Sequence, residues 1–251
     1  MTKLALFGYG QMGKLLEKLA PEHDCQVIAI YDPKSAEYNR DLEDHLWEEI
    51  EVCLDFSLPD KVLTNTEMIC MAGKNLVIGT TGWYDNLSVV ENIVHQYNTG
   101  MIYGSNFSLG MNLFFLITEY ASQLVGKTGI YDVFGCEMHH NKKADSPSGT
   151  ARELAEIVLS NFPGKKTAQY ECLNRQIDSD EFHFASVRGG SIPGTHLIGY
   201  DSPFDTIELR HTARSREGFA VGALKAAQWL KEKKGVYDFQ EIFADLIKNN
   251  F

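Results

Sequence analysis

The 251-residue chain has no cysteine pair at C-x-x-C spacing, no apolar run long enough to span a bilayer, no cluster of basic residues, and no internal repeat or low-complexity segment. Each absence closes off a class of protein. Cys25, Cys53, Cys70, Cys136 and Cys172 are scattered, most of them inside apolar runs such as Val52-Cys53-Leu54. That pattern suits buried thiols in a reducing compartment better than a disulfide framework or a zinc site. The longest apolar stretch, near Leu113-Phe114-Phe115-Leu116-Ile117, falls well short of the roughly 20 residues a transmembrane helix needs. The apolar run after Lys3 stops at Gly8 and carries no cleavage-site pattern, so a cytoplasmic protein without a membrane partner is expected. A formal net charge of -11 argues against general nucleic-acid binding, and it means that an anionic ligand would need a local positive pocket. With 44% hydrophobic residues there is core enough for one large domain or two modest ones.

What is present begins with glycine. Lys3-Leu4-Ala5-Leu6-Phe7 reads as a short strand, Gly8-Tyr9-Gly10-Gln11-Met12-Gly13 follows, and Lys14 to Ala20 reads as an amphipathic helix. Strand, G-x-G-x-x-G and helix in that order form a dinucleotide-binding fingerprint. The first glycine allows a tight turn, the second lets backbone approach a pyrophosphate, and the third lets helix pack on strand. A second apolar run, Val27 to Tyr31, ends in Asp32, the expected distance on for the acid that holds the ribose hydroxyls. The plainer alternative is an aspartate in a strand-ending turn with Pro33. Asp32 argues for NAD, because a carboxylate repels a 2′-phosphate, but Lys34 stands close enough to offset that repulsion. NADH and NADPH both remain open.

Asp41 to Glu51 is acidic and reads as a short helix or loop. Further strands are expected at Val52–Ser57, Leu76–Gly79 and Gly100–Tyr103, with helices from Pro59 to about Met71 and from Leu87 to Tyr97. Loops after the carboxyl ends of parallel strands line the ligand crevice. Gly79, Thr80 and Thr81, and then Gly104, Ser105, Asn106 and Phe107, are therefore placed to face a cofactor. The alternation predicts a Rossmann-like, doubly wound parallel sheet. After a long apolar-rich helix from Met111 to about Val125, strands are expected at Ile130–Glu137, Phe182–Arg188, His196–Tyr200 and Thr206–His211. They suggest an inserted mixed α+β substrate domain over residues 108–215. Helices at Glu217–Lys234 and Phe239–Lys248 would return to the dinucleotide-binding domain, formed by residues 1–107 and 216–251.

The stretch from Glu137 to Ala151 concentrates the chemistry. Ser146-Pro147-Ser148-Gly149-Thr150 precedes apolar residues at helical spacing and reads as a helix N-terminus, whose free N–H groups and dipole attract an anion. Lys142 and Lys143 bring positive charge to the same place, and His139 and His140 bring groups that move protons near neutral pH. Adjacent histidines can also be a metal pair or two surface side chains. They point in different directions on a strand, however, and no cysteine or acidic motif at zinc spacing completes a site, so no metal is expected.

These residues resemble the dihydrodipicolinate reductase (4-hydroxy-tetrahydrodipicolinate reductase) family of diaminopimelate and lysine biosynthesis. Glu137-Met138-His139-His140 with Lys143, Asp145 and Pro147-Ser148-Gly149-Thr150-Ala151 is similar to its E-x-H-H-x-x-K-x-D-x-P-S-G-T-A signature. Gly79-Thr80-Thr81-Gly82, Asn106-Phe107-Ser108, Arg188-Gly189-Gly190 through His196, and His211 through Ala223 match further segments. Ser146 stands where alanine is usual, and Pro33 where some members carry an arginine for the 2′-phosphate. The resemblance implies an NAD(P)H-dependent reductase acting on a small dicarboxylate cyclic imine. His139 would be the proton donor, Lys143 a second catalytic or orienting cation, and His140, Gly149 and Thr150 carboxylate ligands. It also implies a homotetramer held by the second domain. Two alternatives stand beside it: another NAD(P)-dependent imine or amino-acid oxidoreductase of aspartate-dehydrogenase type, and a non-catalytic nicotinamide-binding regulator.

Overall fold

The computed structural model describes residues 1–34 and 44–248 and divides the chain into two compact units, Met1–Leu109 with Arg216–Phe251, and Gly110–Ser215. In chain order the first unit holds β1 (Thr2–Phe7), α1 (Gln11–Leu19), β2 (Cys25–Tyr31), α2 (Asp44–Glu49), β3 (Val52–Asp55), α3 (Val62–Met71), β4 (Asn75–Ile78), α4 (Leu87–Gln96) and β5 (Gly100–Tyr103). The second holds α5 (Leu109–Gly126), β6 (Asp132–His139), α6 (Gly149–Asn161), β7 (Thr167–Gln169), β8 (Glu181–Arg188), β9 (Thr195–Asp201) and β10 (Thr206–Thr212). The chain closes with α7 (Glu217–Leu230), β11 (Gly235–Asp238) and α8 (Phe239–Lys248). Of the acidic stretch expected to be helix or loop, residues 41–43 lie outside the described residues.

The first sheet runs in the order β11-β5-β4-β3-β1-β2, with every pairing parallel. Strands β3 and β4 are buried at every position, as a sheet covered on both faces requires. The order reverses between β1 and β3, and a ligand crevice opens at such a switch point beyond the strands' carboxyl ends. The architecture is the Rossmann-like α/β fold that the alternation predicts, accompanied by a second, mixed sheet.

Two strands escaped the sequence pattern. Three residues at β7 and four at β11 are too short to show alternation, and both exist because a neighbouring strand accepts them. Strand β11 pairs with β5 from Gly235↔Gly100 to Asp238↔Tyr103. Helix α7 correspondingly stops at Leu230 rather than near Lys234. Its end is tied down by buried Asn75, whose Nδ2 donates to the carbonyls of Leu230 at 2.8 Å, Lys231 at 3.2 Å and Lys233 at 3.1 Å. A side chain thereby satisfies carbonyls the helix cannot satisfy itself.

The second sheet has the order β10-β9-β6-β8-β7, antiparallel from β10 to β6 and parallel from β6 to β7. Phe182, Phe184, Ile198 and Tyr200 from its inner face form a core with Phe114 and Phe115 of α5 and Leu154 and Val158 of α6. Along β6 burial alternates, so that Val133, Gly135, Glu137 and His139 share the inner face. That alternation buries a carboxylate and an imidazole together.

Candidate active site

In the first unit the glycine loop is built as its spacing demands. Gly8 has φ +92°, and a Cβ there would sit 2.5 Å from the Phe56 carbonyl oxygen. A Cβ on Gly13 would sit 2.4 Å from the Gly8 carbonyl oxygen, so α1 packs against the loop only because Gly13 has none. At Gly10 a Cβ would meet no described atom within 4 Å, and Gly10 caps α1 without a side-chain hydrogen bond. Open space over an uncapped helix N-terminus fits the pyrophosphate of a dinucleotide. Gln11 is exposed, and its Oε1 accepts a 2.6 Å hydrogen bond from Arg216 just ahead of α7. Met12 is half-buried. The half-buried Tyr9 bonds through its hydroxyl to Glu17, with Lys14 Nζ 5.8 Å from its ring centroid.

Asp32 stands at the end of β2, beside this loop. Its carboxylate accepts the backbone N–H of Tyr9 at 2.8 Å and of Lys34 at 3.0 Å, while the Lys34 residue is exposed. The loop after β4 is anchored by a residue the sequence pattern did not single out. Asp55, fully buried at the end of β3, accepts from Ser57 N at 2.9 Å, Ser57 Oγ at 2.6 Å, Asn65 Nδ2 at 2.8 Å and Thr80 Oγ1 at 2.9 Å. The Thr80 hydroxyl is thus turned into the protein, leaving its backbone and the exposed Thr81 on the crevice side. The Phe56 ring fills the space a side chain at Gly79 would need, with Cε1 2.1 Å from the site of a Cβ. After β5, Gly104 is buried, Ser105 exposed and Asn106 half-buried, its Oδ1 accepting from Ser108 N at 2.9 Å. Phe107 is buried against Phe239, ring centroids 4.5 Å apart, so its side chain packs beneath the loop.

In the second unit, β6 ends at His139 and α6 begins ten residues later. Ser148 caps α6, its Oγ accepting from Ala151 N at 3.1 Å. The N–H groups of Gly149 and Thr150, which a helix leaves unsatisfied, are free to meet an outside acceptor. Gly149 is exposed, and a Cβ there would meet no described atom within 4 Å, so an anion can approach the backbone. Lys143 is half-buried, and its Nζ pairs with Asp145 Oδ1 at 2.8 Å. That bond holds the Asp145 carboxyl below its ordinary range. His140, the residue that follows β6, is half-buried.

His139 is buried, and its ring meets His196 edge-on at 5.1 Å between centroids. Gly194 flanks it, a Cβ there lying 3.2 Å from Nε2. Burial pushes the His139 imidazole down to about 4 against the pull of Glu137, with His196, Lys143 and Arg188 adding to the depression. Its Nδ1 is 3.3 Å from Glu137 Oε2, without the alignment of a hydrogen bond. Glu137 is fully buried, which alone would raise its pKa. The His196 imidazole 3.5 Å from Oε2 and hydrogen bonds from Ser148 and Arg188 outweigh burial and hold it well below the carboxylate range.

Glu137, His139 and His196 place three possible metal-ligating atoms within 4.8 Å of one another, so an acidic partner does stand beside His139, contrary to expectation from the sequence. The Glu137 carboxylate is nevertheless saturated. It accepts Ser148 N at 2.9 Å, the Ser148 hydroxyl, Ser186 Oγ at 2.8 Å and Arg188 Nη2 at 2.8 Å. A metal between the two imidazoles would have to displace the Ser148 hydroxyl from Oε2, while Oε1 is already held by Arg188, and the donors therefore fit a structural carboxylate better than a ligand.

Residues 2–107 match the family model described as dihydrodipicolinate reductase, N-terminus, and residues 110–243 match that of its C-terminus. The chain belongs to the dihydrodipicolinate reductase family. It is 37% identical over 246 residues to the 4-hydroxy-tetrahydrodipicolinate reductase of Christiangramia forsetii, covering 98% of this chain and 99% of that one. It is 31% identical to the enzyme of the same name from Methanosarcina acetivorans, covering 96% of this chain and 99% of that one. Among solved structures, a dipicolinate-bound dihydrodipicolinate reductase from Paenisporosarcina sp. TG-14 superposes with a TM-score of 0.77 at 22% identity, over 96% of this chain and 99% of that one. That last likeness shows the shared fold. Family membership sets aside the aspartate-dehydrogenase-type enzyme and the non-catalytic regulator.

Proposed function

We propose that His139, Lys143 and the start of α6 carry out the reaction of this family, in which the chain is an NAD(P)H-dependent oxidoreductase: reduction of 4-hydroxy-tetrahydrodipicolinate to tetrahydrodipicolinate with loss of water. The single observation that carries these roles is that β6 and the cap of α6 bring a buried imidazole, a half-buried ammonium and two helix-terminal N–H groups into one segment. When bound, the nicotinamide supplies a hydride. Reduction of a conjugated cyclic imine then leaves negative charge at the atom remote from hydride addition, and His139 donates the proton that quenches it. Lys143, His140 and the N–H groups of Gly149 and Thr150 hold the ring's carboxylates, fixing its orientation. The Paenisporosarcina protein holds dipicolinate, a planar dicarboxylate of this kind.

A resting imidazole near 4 is neutral at pH 7. Two substrate carboxylates bring anionic charge beside it and neutralise Lys143, both of which raise its proton affinity. The acid is thus loaded by the substrate it serves.

The glycine loop, Asp32, and the loops at Gly79–Thr81 and Gly104–Asn106 are proposed to hold the cofactor. Asp32 offers a carboxylate to the ribose hydroxyls, and among the described residues only backbone N–H groups are bonded to it, which favours NADH. A homotetramer is proposed from the family resemblance, supported by exposed Leu113, Ile117, Tyr120 and Leu124 along α5. A cytoplasmic location is consistent with cysteines that are all free. No described helix is long and apolar enough to cross a membrane.

The test is parallel NADH and NADPH oxidation with substrate generated in situ from pyruvate and aspartate semialdehyde by the preceding synthase. Synthase-dependent oxidation, faster with NADH, is expected. Cofactor binding without oxidation would sink the reaction, and faster NADPH turnover would overturn the reading of Asp32.

A further inference from the structure

We infer that Glu137 is a positioning residue that couples the proton donor to the carboxylate cradle, so that one buried side chain sets both the place of His139 and the start of α6. The inference rests on the reading of His139 as the acid. The geometry that carries it is unusual for a mere core residue. Oε1 accepts Ser148 N at 2.9 Å, Ser186 Oγ at 2.8 Å and Arg188 Nη2 at 2.8 Å, while Oε2 accepts the Ser148 hydroxyl and lies 3.3 Å from His139 Nδ1 and 3.5 Å from His196 Nε2. Ser148 in turn caps Ala151 N, which aligns the N–H groups proposed to hold substrate. Arg188 also donates to the Asp145 carbonyl at 2.6 Å, and Asp145 holds Lys143. From this carboxylate, therefore, one hydrogen-bonded chain reaches the cradle and another reaches the lysine.

A neutral hydrogen-bonding residue of the same shape could hold Ser148 alone. The negative charge adds something else. The groups facing His139 are Glu137 from its own strand, His196 from β9, Arg188 from β8 and Lys143 from the following loop, and of these only Glu137 favours the imidazolium. Glu137 is thus the counter-ion that keeps protonation of a buried acid within reach, and its bonds to β8, β9 and α6 fix where that counter-ion stands.

The experiment is the pH dependence of kcat, with substrate and cofactor KM measured separately, in the wild type, Glu137→Gln and Glu137→Asp, with folding followed by circular dichroism. In Glu137→Gln the alkaline fall of kcat should move to lower pH by about one unit or more, as expected for loss of an opposite charge within a few ångströms. Substrate KM should rise about tenfold while cofactor KM stays unchanged, because the cradle is disturbed and the glycine loop is not. Glu137→Asp keeps the charge but withdraws it by one methylene, so it should restore most of the pH profile and leave substrate KM raised. A folded Glu137→Gln protein with an unmoved alkaline limb and unchanged substrate KM would overturn the proposal. If Glu137→Gln does not fold, Glu137→Asp decides alone: wild-type kinetics would overturn it, and a raised substrate KM with a preserved profile would support it. His139→Gln separates the two readings. Should it keep wild-type turnover, the acid role itself fails; should it lose turnover while Glu137→Gln behaves as wild type, only the coupling fails.

Discussion

The two units build their proposed binding places from opposite materials. The proposed crevice of the first is made largely of backbone and of missing side chains: Gly8, Gly10 and Gly13 shape the loop, and Asp55, the buried carboxylate that anchors the loop after β4, is bonded to neutral donors. The proposed site of the second is made of ionisable side chains packed on a buried carboxylate with an arginine, two imidazoles and a lysine close by. A dinucleotide makes the same demand in any reaction, namely room for a pyrophosphate against a helix end, and steric absence supplies it. Protonating a reduced ring needs a charge that changes during turnover, which only titratable groups can provide. The contrast predicts that the first unit breaks through volume and the second through charge.

The largest effect should come from charge. His139→Gln preserves much of the volume but cannot donate a proton, and kcat should fall by about 10²- to 10⁴-fold with little change in cofactor KM. Steady-state kinetics check this, and near-normal turnover would remove the acid role. Next, Gly8→Ala adds one methyl in a left-handed conformation 2.5 Å from the Phe56 carbonyl oxygen. Cofactor affinity should fall by about tenfold or more and stability by roughly 1–3 kcal/mol, read by cofactor titration and thermal melting. Substrate-analogue binding should survive that change, which would separate the two sites.

Lys143→Ala should raise substrate KM by about tenfold, with a smaller loss in kcat, since a charge-assisted bond to a carboxylate serves binding and orientation together. Unchanged substrate kinetics would count against it. The smallest effect concerns stability against pH. Burial depresses the His139 pKa to about 4, below the ordinary 6.5, so the folded state binds fewer protons than the unfolded between those values. Its contribution to stability is present above pH 6.5 and is lost as pH falls through about 4. The melting temperature of the wild type should therefore drop more steeply across that window than that of His139→Gln, and parallel curves would show that the imidazole is not buried neutral.

Much of this was written locally. The strand, glycine loop and helix at residues 2–19 could be read because each cause lies within a few residues of its effect: a turn needs Gly8, and a close packing needs Gly13. The start of α6 was legible for the same reason, since Ser148 caps a backbone group three residues on. Phe107 shows the limit. Its place in a loop after a strand suggested a cofactor contact, yet Phe239, 132 residues later, claims its ring. Thr80 likewise gives its hydroxyl to Asp55, a partner no local spacing reveals.

The sequence alone, through spacing and periodicity, determined the alternation that makes a parallel sheet, the dinucleotide fingerprint and the presence of imidazole, cation and helix end in one short segment. Strand periodicity also held an unused signal, because Glu137 and His139, two apart on β6, had to share a face. Only the tertiary structure decided what that face meets. Sheet register sets Glu137 opposite His196 on one side and Ser186 on the other, and brings Arg188 level with His139. Register is fixed by the packing of whole strands against a core, so residues some fifty positions apart become neighbours for reasons no local stretch contains.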